Sequence, residues 1–250
     1  PILVPSLAEV LPFVRFRSNR QGIWARLRVG YVLTPIARKP MNSEPTVFVV
    51  DDDEAMRHSL EWLIASAGLR TQSFGSAEEF LRTYYPGQAG CLLLDVRMPG
   101  MSGMELQAYL AREEIRIPVV IITGHGDVAM AVKAMRAGAL DFIEKPFNDE
   151  ALIASLRAAL DADQRRRVDR LQRAEIARRL AELTPREHEV MAMVTEGRSN
   201  REIAAGLGVS TKTVEAHRAR VMDKMRAQSL AELVRMCLVA GILANDAPAN

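Results

Sequence analysis

The feature that most constrains this chain is an alternation. The short apolar runs TVFVV, CLLLD and PVVIIT, with the weaker candidates LRTQSF and ALDFIE, are separated by helical stretches. These are DEAMRHSLEWLIASAG, SAEEFLRTYY, SGMELQAYLAREE, GDVAMAVKAMRAG and NDEALIASLRAALDA. Apolar runs this short suit strands covered on both faces, and strands that alternate with helices pair in parallel through crossovers. The expected fold is α/β, a doubly wound parallel sheet of five strands, taken in the order 2-1-3-4-5.

Such a sheet keeps its chemistry in the crevice at the carboxyl ends of its strands. Here the first strand closes on Asp51, Asp52 and Asp53, the third on Asp95 and the fourth on Thr123, while Lys145 follows the fifth. In that strand order the first and third are neighbours, so Asp51, Asp52 and Asp95 converge. Like charges ~4 Å apart repel by roughly 4 kcal/mol at an effective dielectric near 20, so the cluster calls for a cation. Oxygen donors with positions left open for water and phosphate suit Mg²⁺. Each residue also has a plainer reading taken singly. A strand-end aspartate caps a turn, Lys145 is solvated, Thr123 is a β-branched strand residue and Phe142 belongs to a core.

The set VVDDD, LLLDVRMPGMSG, IITGHGD and DFIEKPF resembles, in that order and spacing, the receiver domain of two-component response regulators, over about residues 45 to 163. The resemblance implies that Asp95 is the phosphoacceptor for a sensor histidine kinase. It implies that Asp51, Asp52, Asp95 and the backbone carbonyl of Arg97 hold Mg²⁺, with Thr123 and Lys145 on the phosphoryl oxygens. Thr123 and Phe142 would be the switch pair that biases the domain toward a homodimer on phosphorylation. Pro146 makes the bond after Lys145 a candidate cis peptide. His125 is read as a polar loop residue within reach of a kinase.

Beyond Leu160 the chain becomes DADQRRRVDRLQRAEIARRLAEL, helix-favouring and charged all round. Val168, Leu171, Ile176 and Leu180 make only a weak stripe, so residues 164 to 182 are expected to be a solvated helical linker and not a coiled coil. Three capping pairs then mark helix starts: Thr184 with Glu187, Ser199 with Glu202, and Ser229 with Glu232. Gly208 breaks the helix begun at Ser199 so that another starts near Ser210, which is a helix-turn-helix spacing. The second helix offers Val214, Val221, Met222 and Met225 to a core, and Lys212, Thr213, His217, Arg218, Arg220 and Lys224 to phosphates and base edges.

The segment LTPREHEVMAMVTEGRSNREIAAGLGVSTKTVEAHRARVMDKM is similar to the LuxR-type helix-turn-helix, over about residues 183 to 243, an all-α domain of four helices. The whole chain resembles the FixJ/NarL group of regulators. That resemblance implies Glu215, Arg218 and Ala219 at the bases, and Thr211, Lys212, Thr213, His217 and Lys224 on the DNA backbone. Promoter DNA and RNA polymerase are the partners it implies.

Charge and composition agree with a divided chain. Residues 1 to 40 carry seven basic and one acidic residue, whereas residues 41 to 161 carry ten basic and eighteen acidic. The first 44 residues are read as a basic extension, disordered or targeting, and residues 244 to 250 as a flexible tail. No stretch approaches the ~20 uninterrupted apolar residues of a membrane span, and a cytoplasmic location without membrane contact is expected. Cys91 and Cys237 sit far apart in apolar runs, as small buried hydrophobes do in a reducing compartment. Two rivals to a non-enzymatic regulator are an Mg²⁺-dependent phosphohydrolase with an aspartate nucleophile, and a LuxR-type regulator independent of phosphorylation. The first lacks its usual second acid two residues past the nucleophile, where this chain has Arg97.

Overall fold

A computed structural model describes residues 44–124 and 128–242. Of the sequence expectations, those on residues 1–43, on His125 and on the tail from 244 lie outside that range.

Five parallel strands form one sheet: β1 (Thr46–Val50), β2 (Arg70–Phe74), β3 (Gly90–Asp95), β4 (Val119–Thr123) and β5 (Asp141–Glu144). Their order is β2-β1-β3-β4-β5, as expected from the sequence. Around them run α1 (Glu54–Ser66), α2 (Ala77–Thr83), α3 (Gly103–Arg112), α4 (Val128–Arg136) and α5 (Asp149–Ala181). The strands explain their own apolarity, because alternate residues of one run serve opposite layers. Phe48, Val50, Leu92, Leu94 and Ile121 pack with Phe80, Leu106, Leu110 and Ala134 of α2, α3 and α4. Val47, Val49, Cys91, Leu93, Val120 and Ile122 pack with Leu60, Ile64, Leu152 and Leu156 of α1 and α5. The central strand β3 is buried along its whole length.

Two glycines are fixed by close approach. A Cβ on Gly90 would lie 1.9 Å from the Thr46 carbonyl oxygen, and one on Gly103 would lie 2.1 Å from that of Asp95. Gly103 thus lets α3 start directly beneath the end of β3, where its N–H donates to the Val96 carbonyl.

Helix α5 is a single element of 33 residues, roughly 50 Å at 1.5 Å per residue. It passes without interruption through the position where the sequence suggested a change from receiver helix to linker, since neither glycine nor proline occurs between Asn148 and Glu182. Its solvation changes along its length: Val168 and Leu171 are exposed, whereas Ile176 is buried and Leu180 half-buried. Asp163 is buried on this helix and accepts a hydrogen bond of 3.0 Å from the Gly90 N–H, tying α5 to the start of β3. Burial raises the pKa of that carboxyl, against the opposing effects of the Gly90 bond and of Arg167, Arg166 and Arg170.

Four helices follow: α6 (Pro185–Thr195), α7 (Asn200–Leu207), α8 (Thr211–Met225) and α9 (Leu230–Val239). Their core gathers Val190, Met191, Val194, Ile203, Val214, Val221, Met225, Leu233 and Cys237, and Ile176 of α5 belongs to it. Complete capping boxes open α6 and α7 at Thr184 and Ser199, as one opens α3 at Ser102. At Ser76 and Ser229 only half of the box forms. There the N-cap backbone is more extended, φ −157° and −150°, and Glu79 and Glu232 reach instead to the N–H groups of Gly75 and Gln228.

Candidate functional site

The carboxyl ends of β1 and β3 bring Asp51 and Asp95 together, each almost fully buried. Neither stands alone. The Lys145 ammonium donates to Asp51 Oδ2 and to Asp95 Oδ1, both at 2.8 Å, and its side chain is only 18% exposed. The remaining carboxylate oxygens are held by main-chain donors: Asp53 N–H to Asp51 Oδ1 at 2.9 Å, and Arg97 N–H to Asp95 Oδ2 at 2.7 Å. Arg57 Nη1 donates to the Asp51 carbonyl at 2.7 Å, which fixes the turn from β1 into α1. Asp53 caps α1 by accepting from the N–H groups of Ala55 and Met56, so its role is structural.

Lys145 is aimed by its backbone. Its N–H donates to the Thr123 carbonyl at 2.8 Å, and the Lys145–Pro146 peptide bond is cis. Thr123 is buried at the end of β4, and Phe142 is half-buried on β5 opposite Ile121, packed against the α2, α3 and α4 layer. The two switch candidates therefore occupy adjacent strands.

The electrostatics leave the site short of positive charge. Burial raises the pKa of Asp95; the hydrogen bond and charge of Lys145 pull it back, and the charge of Asp51 adds to the rise. Burial alone would lower the pKa of Lys145, but its hydrogen bonds to Asp51 and Asp95 and their charges outweigh that, and the net direction is upward. One ammonium between two buried carboxylates leaves one negative charge over, with Asp52 exposed beside them. Among the described residues no three acidic, histidine or cysteine side chains close into a ligand cluster. What the site offers is two buried side-chain carboxylates beside one exposed carboxylate. That donor set suits Mg²⁺, which keeps several waters and takes one or two carboxylates together with phosphate.

In the second site, α8 turns Val214, Val221 and Met225 inward and leaves Thr211, Lys212, Glu215 and Ala219 exposed. Ala216 and Arg220 are also exposed and extend that outer face, although Ala216 carries no chemical signal that a sequence reading would single out. Thr213 and His217 are half-buried; the Thr213 N–H is capped by Ser210, and His217 Nδ1 is buried without a partner.

Two residues expected on DNA also bond within the domain. Lys224 donates to Glu187 at 2.7 Å and to the Glu182 carbonyl at 3.1 Å, so its ammonium already has two acceptors within the domain. Arg218, expected at base edges, lies four residues past Val214 and three before Val221, on the flank that α8 turns to its neighbours. Its Nη1 donates to Asn200 Oδ1 of α7 at 2.6 Å. Both long stems reach back to protein acceptors, which a count of basic residues on a helix face does not reveal.

Comparisons with known proteins identify both domains. Residues 47–157 match the response regulator receiver domain, and residues 181–237 match the bacterial regulatory proteins of the luxR family. The chain is 47% identical over 204 residues to nodulation protein W of Bradyrhizobium diazoefficiens, covering 82% of this chain and 90% of that one. It is 48% identical over 202 residues to the transcriptional regulatory protein FixJ of Azorhizobium caulinodans, covering 80% and 95%. Among solved structures, the response regulator StyR superposes with a TM-score of 0.72 at 43% identity, over 78% of this chain and 99% of that one. No helix among the described residues is long and apolar enough to cross a membrane. With a buried aspartate at the end of β3, a helix-turn-helix after α5 and relatives alike over both, the chain belongs to the FixJ-like response regulators, two-component transcription regulators that join a receiver to a LuxR-type DNA-binding domain.

Proposed function

We propose that Asp95 accepts a phosphoryl group from the phosphohistidine of a sensor kinase, and that this transfer promotes homodimerisation and sequence-specific promoter binding. The observation that carries the reading is the Lys145 ammonium seated 2.8 Å from both Asp51 and Asp95 at the strand ends. In the transfer the P–N bond of the donor breaks and a P–O bond to an Asp95 oxygen forms. Negative charge gathers on the phosphoryl oxygens, so positioning and charge neutralisation dominate the catalysis. Lys145 supplies a fixed cation, and the Thr123 hydroxyl a donor on the adjacent strand. Asp51, Asp52, Asp95 and the Arg97 carbonyl would hold Mg²⁺, whose charge would offset the surplus acid. The same groups would support slow self-dephosphorylation.

Dimerisation is assigned to the face beside the switch strand. Phe142 lies on β5, against which α4 packs, and α4 carries Val128, Val132 and Met135 exposed to solvent. A shift of Thr123 and Phe142 would change the population of the pairing-competent state. Glu215 and Ala219 are assigned to base edges, and Thr211, Lys212 and Thr213 to the backbone near the start of α8. RNA polymerase is the downstream partner, activation the expected outcome and the cytoplasm the expected location. The test is sedimentation and footprinting with and without a small phosphodonor. Phosphorylation should raise dimer content and extend protection over paired half-sites. Unchanged sedimentation and footprints would refute the reading.

A further inference from the structure

We infer that Arg218 is a DNA-backbone clamp aimed by Asn200, not a base reader. Asn200 opens α7 directly after the Ser199 cap, and its Oδ1 accepts from Arg218 Nη1 at 2.6 Å. Only the amide oxygen can fill that place, since a guanidinium has donors alone. Both residues are half-buried, so the contact sits at the seam between the two helices. Along α8, Arg218 shares the inward stripe of Val214, Val221 and Met225, with spacings of four, three and four residues. The outer face is carried by Lys212, Glu215, Ala216, Ala219 and Arg220, all exposed.

In helix-turn-helix docking the second helix lies in the major groove while the first crosses the phosphate backbone. A side chain on the outer face of α8 therefore meets base edges, whereas one at the α7 seam meets phosphates. The bond to Asn200 uses one of five guanidinium donors and leaves the others to form a fork for phosphate oxygens. With its long stem fixed at one end, Arg218 loses less rotamer freedom when it engages DNA. The exposed Arg201 next to Asn200 adds positive charge at the same seam. The inference rests on the docking of α8 proposed above.

The test uses full-length phosphorylated protein, a duplex selected from a random pool by the wild type, and a scrambled duplex of equal length. Affinities are measured by anisotropy across a potassium chloride series. Arg218→Ala should weaken both duplexes alike, about five- to tenfold, and should reduce the salt slope by about one. Asn200→Asp keeps the contact to Arg218 but sets a carboxylate against the guanidinium, which competes with phosphate for its donors and charge, whereas a latch that served folding alone would leave affinity unchanged. A positioning role requires that this variant melt like the wild type yet lose affinity for both duplexes, and that the loss largely vanish when Arg218→Ala is already present. A greater loss on the selected duplex than on the scrambled one with Arg218→Ala would overturn the inference. So would full affinity of Asn200→Asp, or an equal loss with and without Arg218. If Lys212→Ala and Ala219→Glu leave both affinities unchanged, the docking itself fails and the clamp falls with it.

Discussion

Replacing Gly103 by alanine should displace Asp95, the proposed phosphoacceptor, without touching any of the charges around it. The new methyl carbon would stand 2.1 Å from the Asp95 carbonyl oxygen and 3.0 Å from Leu94 Cγ. Ordinary carbon–oxygen contacts begin more than an ångström further out, and the obstacle is backbone, which cannot swing aside as a flexible side chain can. Either the end of β3 or the first turn of α3 must move. Overpacking of this kind costs about 1–3 kcal/mol. A displacement of about 1 Å at a reacting group can cost on the order of 10²-fold in rate. Urea unfolding and a time course of labelling by a small phosphodonor measure the two effects separately. Gly206→Ala is the control, because that glycine lies within α7 and a Cβ there meets only Met193 Cε, at 3.8 Å. It should be neutral or stabilising by up to about 1 kcal/mol. Gly103→Ala with stability and labelling within error of the wild type would refute the claim that close approach of α3 fixes Asp95.

Other outcomes follow from the ion pairs. Glu187→Gln removes the charge that faces Lys224 and should destabilise the output domain by roughly 1–3 kcal/mol at neutral pH, read by denaturant unfolding. The Lys224 hydrogen bond, with that of the Thr184 N–H, holds the Glu187 carboxyl down to about 2, against an ordinary 4.5. A depressed carboxyl stabilises the fold above its ordinary value, so stability should fall as pH drops from 4.5 towards 2, and Glu187→Gln should flatten that fall. Lys145→Met leaves Asp51 and Asp95 facing each other without their shared cation. Labelling should slow sharply, and Mg²⁺ should raise the melting temperature of the variant more than that of the wild type; an equal response would count against charge surplus as the reason for metal binding.

Much of this was legible in the sequence because the receiver concentrates its chemistry at strand ends. Asp51, Asp95, Thr123 and Lys145 each follow an apolar run, and parallel topology allows few ways to arrange them. Helix starts were equally plain, since Thr184, Ser199 and Ser229 advertise their caps within four residues of sequence. Features that depend on reach were hidden. Asp163 reads as one more solvated acid in a charged helix, yet its partner is the N–H of Gly90, 73 residues away in the chain. Lys224 and Arg218 read as DNA donors alone, and their acceptors on Glu187 and Asn200 are invisible in the sequence. The stripe position of Arg218, between Val214 and Val221, was available from spacing alone and outweighs its charge as a guide to direction.

The central proposal is that Asp95 accepts the phosphoryl group, with Lys145 bridging it to Asp51. Mass analysis of proteolytic peptides from protein treated with a small phosphodonor and Mg²⁺ tests it most directly. The expected result is a base-labile acyl phosphate on the peptide containing Asp95 in the wild type and no such product in Asp95→Asn. Retention of the label in Asp95→Asn, or its location on a peptide without residue 95, would contradict the claim.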